Sequence, residues 1–260
     1  MLHGNGETYL PDLIYDLGMH YALDTKFYLD KRFRVVSLEA NPAFVEAALQ
    51  EHEAFVQAER LVILNRALWR NSAEKISFYL NPIKDDWSSA FKSRAEKGGH
   101  ASQEIKVDTI TLSQMFDLYG VPYYLKCDME GADELFVQQL LADSRRPAFV
   151  SIEAASLGAL AVLFAAGYDL VQIVNQGFNS SLTPPNPAQE GVFVPAHFNG
   201  LMSGLFGREL PREGWQSFED AARDYLAFKE LQKHNSPLVH GWMDFHVTSS
   251  ATLKKLGVIE

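Results

Sequence analysis

Carboxylates that close short apolar runs are the side chains of this chain best placed to do chemistry. Asp16 and Gly18 end one such run, Glu39 ends a second, and Asp128 and Glu130 end a third. The strings are DLGMHYALDT (16–25), VVSLEANP (35–42) and YLKCDMEGAD (124–133), each followed by a helical pattern. An α/β sheet presents loops of this kind at the carboxyl ends of its parallel strands, where ligands of such folds bind. Glu39 lies 21 residues after Gly18, at the end of the next strand. A carboxylate there can accept both ribose hydroxyls of an adenine nucleoside. Its plainer role would be as a solvated acid before a helix, favoured by the helix dipole.

The first loop decides which nucleoside. A dinucleotide fingerprint needs G-x-G-x-x-G so that backbone can cradle a pyrophosphate. Here His20 and Leu23 occupy the second and third glycine positions, and their side chains obstruct that approach. S-adenosylmethionine has no phosphate, so one glycine suffices, and nearby acidic and aromatic groups suit its sulfonium charge. NAD is therefore disfavoured. Methyl transfer to an alcohol needs in-line alignment and a group to take the hydroxyl proton. Asp128 and Glu130 are candidates, and would point to one side if the chain stays extended. His20, in the first loop, and His246, which alternates with Asp244 in a late strand, are further candidates. His52, His100 and His234 read as surface residues. Asp128, Glu130 and His246 offer too few hard ligands to claim a metal, so none is assigned.

The elements that must position these groups follow from periodicity. Strands are expected at 13–17, 34–38, 61–64, 123–128, 149–152 and 168–174, with a final strand at 240–248. Helices are expected at 24–31, 43–52, 112–119, 132–142 and 218–234. Pro42 suits the first turn of its helix, and 154–168 reads as a buried helix. Residues 75–80 and 105–111 alternate as exposed or edge strands. Residues 175–214 are rich in Asn, Gly, Ser and Pro. A loop of that length is usually functional, and Phe178, Phe193, Phe198 and Phe206 give it apolar anchors. It reads as a lid or substrate-facing insertion within a single domain spanning 1–260.

Composition narrows the partners. Of 260 residues, 47% are hydrophobic, which is ordinary for a globular domain, and the formal charge is -10. So acidic a surface repels phosphate backbones, which excludes nucleic acid as the expected substrate. The single cysteine, Cys127, lies in an apolar strand and reads as buried and inert. The polar start MLHGNGETYL does not resemble a secretory leader. No apolar run reaches the ~20 residues needed to span a bilayer, so a cytoplasmic protein with no membrane partner is expected.

Taken together, DLGMHYALDTKFYL, FRVVSLEANP, the Ser88-Ser89 pair, IKVDTITL, YLKCDMEGAD, FVSIEA and GWMDFH resemble the FkbM-type methyltransferases. The resemblance is good over 15–176 and looser to 246. It implies a class I, Rossmann-like α/β fold: a mainly parallel, doubly wound, seven-stranded sheet with extra edge strands and the C-terminal insertion. It also implies S-adenosyl-L-methionine as cofactor and methylation of a hydroxyl on a small molecule, natural product or sugar. On that reading Asp16, Gly18, Met19, His20 and Thr25 line the methionine end, and Glu39 holds the ribose. Ala40 and Asn41 border the adenine, Asn65, Arg66 and Ala67 flank its other edge, and Ser88 and Ser89 lie near the cofactor. Asp128 both faces the donor and, with Glu130 and His246, is a candidate for catalysis. One departure stands out: family members commonly carry a second glycine where this chain has Ala22. The rival reading is a catalytically weak methyltransferase-like module that binds a nucleoside or a protein. The acceptor, any metal requirement and the oligomeric state are not specified by the sequence.

Overall fold

Parallel strands buried on both faces organise the molecule. The computed structural model describes residues 9–154, 156–234 and 241–259. The strands are β1 (Leu10–Leu17), β2 (Arg34–Glu39), β3 (Leu61–Asn65), β4 (Ala67–Leu68), β5 (Lys75–Leu80), β6 (Gln103–Ile110), β7 (Pro122–Cys127), β8 (Phe149–Glu153), β9 (Leu170–Asn175), β10 (Gln216–Ser217) and β11 (Met243–Thr248). Eight of them form one sheet in the order β10-β9-β11-β8-β7-β1-β2-β3. Pairing is parallel from β3 through β8, while β11 runs antiparallel to both β8 and β9. The chain winds outward from β1 to β3, then returns to the other side of β1 as β7. The switch point of the sheet therefore lies between β1 and β7, where open α/β sheets open a crevice.

The sheet has eight strands where seven are expected: the two-residue β10 joins its edge, paired antiparallel to β9. The alternating strands β5 and β6 are not edges of this sheet. They pair antiparallel with each other and, with β4, make a separate three-stranded sheet. Their alternation fits a sheet with one wet face. The first residue expected in the last strand, His240, and positions 1–8 of the polar start lie outside the described residues.

Helix boundaries follow local chemistry. In α1 (Leu23–Asp30) the helix starts from Ala22, held in the left-handed region at φ 59. In α2 (Pro42–Glu51) the Asn41 side chain accepts the Ala43 N–H at 3.1 Å, and Pro42 takes the first turn. Two short helices follow, α3 (Glu53–Gln57) and α4 (Lys92–Ala95), then α5 (Leu112–Tyr119), capped by Thr111, and α6 (Asp133–Ala142). Next come α7 (Leu157–Ala165), α8 (Phe218–Lys233), capped by Ser217, and α9 (Ser250–Lys255). Only one side of α7 is buried, and Phe164 is exposed, so the expected buried helix is a half-buried one. His52 is also buried, contrary to its expected surface position, because it closes α2 and packs against Phe55.

An aromatic core fills the space between the sheet and the segment 175–214. Phe206 stacks on Tyr124 with ring centroids 4.8 Å apart, and Phe198 meets Phe27 edge-on at 5.2 Å. Phe178 and Phe193 are exposed, so two of the four expected anchors hold the segment and two do not. Two fully buried charges add to the attachment: Lys31 Nζ donates to Glu209 at 2.6 Å and to the Val192 carbonyl at 3.1 Å. No helix among the described residues is long and apolar enough to cross a membrane.

Candidate active site

A cleft of about 380 Å³ opens at the carboxyl ends of β1, β2, β7 and β8 and the amino end of the antiparallel β11. The loop after β1 forms its floor at the switch point. Gly18, at φ +86, sits so close to the end of β7 that a Cβ on it would overlap the Asp128 carbonyl. The glycine is therefore required by close backbone approach as well as by its dihedral. His20 and Ala22 follow in the left-handed region as well, at φ 51 and 59. This explains why a glycine suits the position of Ala22: the turn needs a conformation that costs an L-residue roughly 1 kcal/mol.

Glu39 ends β2 and lines the cleft. Its two carboxylate oxygens accept backbone N–H groups, one from His20 at 2.9 Å and one from Asn41 at 2.7 Å. Burial raises its pKa, against the pull of those same donors. The carboxylate is thus fixed in orientation, and each oxygen keeps a further lone pair for a ligand hydroxyl. Asn65 braces the turn from behind, its amide donating to the Glu39 and Ala40 carbonyls at 3.0 and 3.1 Å.

At the base of the cleft lies a charged cluster. Lys126 is buried, with its Nζ 3.2 Å from Asp16, 3.4 Å from Asp24 and 4.0 Å from Asp128. Burial opposes its charge, yet these carboxylates hold its pKa well above the ordinary value. Thr25 donates to Asp16 at 2.6 Å, and Asp24 accepts the Ser203 N–H at 2.9 Å. Through Asp24 the segment 200–203 is pinned against the cleft, which Gly200 to Ser203 line.

A flap, 81–102, forms the opposite wall through Trp87 and Ser88. Asp85 clasps the first loop, taking the Tyr21 hydroxyl and lying 3.3 Å from His20 Nε2. Ser89 is buried and donates to the Glu130 carbonyl at 2.7 Å. Glu130 itself turns at φ 38, so the chain does not stay extended after Asp128 and the two acids do not share a side through strand period. Lys97 pairs with Glu130 at 3.1 Å and lies over the Trp87 ring at 4.4 Å.

Of the residues expected at the site, Gly18, Met19, His20, Glu39, Ala40, Arg66, Ala67, Ser88, Asp128 and Glu130 line the cleft. Asp16, Thr25, Asn41, Asn65 and Ser89 stand one layer behind, each bonded to a group that shapes the wall. His246 does not reach the cleft. It is buried in β11 beside Ser151 and Gln172, its Nε2 has no hydrogen-bond partner among the described residues, and burial pushes its pKa down to about 4. Glu153 and Asp244, which also line the cleft, were not among the expected site residues. Register exposes them: β8 and β11 pair Glu153 with Asp244 at the rim, level with Asp128 just past the end of β7. Lys126 and Asp24 have no comparable local signal, since their partners come from distant segments. Trp242 lines the cleft and is partly exposed, whereas Trp215 packs against Phe149. Among the described residues no group of three or more His, Cys, Asp or Glu is arranged to hold a metal ion.

The family model of the methyltransferase FkbM domain matches residues 16–169, from the first acid of the switch point through β8 and α7. The chain belongs to this family. The family segment carries Gly18, Glu39, Asp128 and Glu153, whereas Asp244 and the 200–203 wall come from beyond it. Among solved structures, an FkbM methyltransferase from Methylobacillus flagellatus KT is 15% identical, with a TM-score of 0.39. That match covers 61% of this chain and 39% of the other, so this chain spans well under half of that relative. A precorrin-6y C5,15-methyltransferase from Geobacter metallireducens GS-15 is 16% identical, with a TM-score of 0.36 over 64% of this chain and 67% of that one. No curated protein matches the chain significantly.

Proposed function

We propose that the chain is an S-adenosylmethionine-dependent methyltransferase that methylates a hydroxyl oxygen on a small molecule, natural product or sugar. The observation that carries this reading is Glu39, fixed by two backbone donors at the end of β2 and lining a cleft whose floor is the Gly18 turn. That donor set fits a nucleoside without phosphates, because His20 and Leu23 stand where a pyrophosphate loop needs glycine. Beside it, the exposed Asp128 carboxylate gives one end of the cleft a negative character suited to a cationic ligand. When bound, the cofactor supplies a methyl group on a positively charged sulfur.

The chain's own residues then bind and orient. Glu39 holds the ribose, Ala40, Arg66 and Ala67 border the base, and Gly18, Met19 and His20 close the methionine end. Asp128 stands at the end of β7 facing the donor. Trp87, Trp242 and 200–203 narrow the opening, which favours positioning of an acceptor and exclusion of water. The test is transfer of a labelled methyl from the cofactor to panels of glycosides and phenols, set beside amines and thiols. Label on oxygen is expected. Label confined to nitrogen or sulfur acceptors would overturn the oxygen assignment.

A further inference from the structure

Each buried or half-buried carboxylate of the cleft but one is already engaged. Glu39 holds two backbone N–H groups, Asp24 holds Ser203 and Lys126, and Asp244 accepts the Gln176 amide at 2.6 Å. Glu130 pairs with Lys97, and the more open Asp128 approaches Lys126. Glu153 lines the same cleft, and its carboxylate has no hydrogen bond or ion pair among the described residues. It ends β8, whose register sets Lys126 beside Ser151, so Glu153 lies level with Asp128 and opposite Asp244. An acid with free lone pairs at that level is available to a bound ligand.

We propose that Glu153 accepts the proton of the acceptor hydroxyl, a role that rests on the methyltransferase reading above. The acceptor oxygen gives up its O–H bond to a Glu153 oxygen as it forms the new bond to the methyl carbon. The bond from that carbon to sulfur breaks with its electron pair remaining on sulfur, and the sulfonium charge is discharged. Charge balances: the carboxylate becomes neutral, the oxygen becomes a neutral ether, and no further reactant is needed. Glu153 must be ionised for this, and its surroundings poise it. Burial, then the carboxylates of Asp128, Glu130 and Asp133, push its pKa up to about 7, against Lys97. Asp244 on β11 and Tyr225 on α8, whose hydroxyl donates to the Ala154 carbonyl, complete the groups around it. A base near neutrality is the effective kind at neutral pH.

Three measurements test this. In the first, S-adenosylhomocysteine binding is titrated in wild type and Glu153→Gln. Affinity within threefold is expected, and a larger loss would make Glu153 a donor contact instead. In the second, an aryl diazo ester, which esterifies protonated carboxyls, is applied at pH 7 with S-adenosylhomocysteine bound, and peptides are mapped. Ester at Glu153 ahead of Asp128 and Glu130 is expected, and ester at Asp128 or Glu130 with none at Glu153 would move the poised carboxyl, and the proton-accepting role with it, to that residue even with no acceptor known. In the third, single-turnover transfer to any glycoside or phenol that wild type methylates is followed against pH. Wild type should rise to a plateau above about pH 7, whereas Glu153→Gln should fall ~10²- to 10⁴-fold and lose that rise. Glu153→Asp should recover part of the rate. A retained rate and profile in Glu153→Gln would overturn the role, whereas failure of wild type to bind S-adenosylhomocysteine would instead sink the methyltransferase reading.

Discussion

A methyl group at position 18 would overlap the carbonyl oxygen of Asp128, because the first loop packs directly against the end of β7. Gly18 N–H also donates to the Leu38 carbonyl at 2.9 Å, tying the loop to β2. Gly18→Ala should therefore push the two loops of the switch point apart. We expect a loss of more than about 2 kcal/mol in urea stability, from strain at a positive φ plus overpacking, together with weakened S-adenosylhomocysteine binding. Unchanged stability and affinity would show that the loop yields without consequence. Gly18 and Glu39 stand out in the sequence because strand-end position and spacing point to them. Glu153 follows the same logic at the end of a third buried strand, yet Glu-Ala-Ala in a helical-looking stretch masks it. His246 shows the limit of residue type as a guide: a histidine in strand alternation next to the site is buried below it.

At the scale of elements, β1, β2, β7 and β8 were legible because strands buried on both faces read as continuous apolar runs. The partners of β5 and β6 were not, since alternation reports a wet face without saying which sheet owns it. Segment 175–214 was legible as irregular chain, but its attachment depends on pairs far apart in sequence. Lys31 and Glu209 are 178 residues apart and fully buried, and no local pattern announces such a pair. Removing one partner leaves the other charge buried and unpaired, at a cost of about 3–5 kcal/mol. Lys31→Met should lower stability by that order, and the double change with Glu209→Leu should recover most of it. Thermal or urea unfolding of the three variants checks this. A near-neutral Lys31→Met would mean the segment contributes little to the fold. Ser203 on the same segment bonds Asp24 at the base of the cleft, so its fixation bears on the site as well.

Across the whole molecule, buried acids make stability depend on pH in an unusual direction. Burial pushes Glu190 from its ordinary 4.5 up to about 7, against hydrogen bonds from Tyr123 and the Arg208 N–H. Between those values the folded state holds a proton that the unfolded state has lost, so its contribution falls as pH rises from about 4.5 to 7. His246 works oppositely, because burial lowers it from 6.5 to about 4. The unfolded state binds the extra proton there, so that contribution rises with pH over the same acid range. Glu190→Gln isolates the first effect: relative to wild type its stability should climb by about 3 kcal/mol between pH 4.5 and pH 8. Urea titrations at several pH values read this directly, and parallel curves for the two proteins would mean Glu190 stays ionised in the fold. The doubly wound sheet with its switch point between β1 and β7 gathers Gly18, Glu39 and Asp128 around one cleft, and the central claim is that this cleft holds S-adenosylmethionine. Calorimetric titration of wild type and Glu39→Ala with S-adenosylmethionine, S-adenosylhomocysteine and NAD tests that claim most directly. One site for each of the first two ligands, none for NAD, and a loss of about 1–3 kcal/mol in Glu39→Ala are expected. Absence of binding to wild type, binding of NAD in place of the sulfur ligands, or full affinity in folded Glu39→Ala would contradict it.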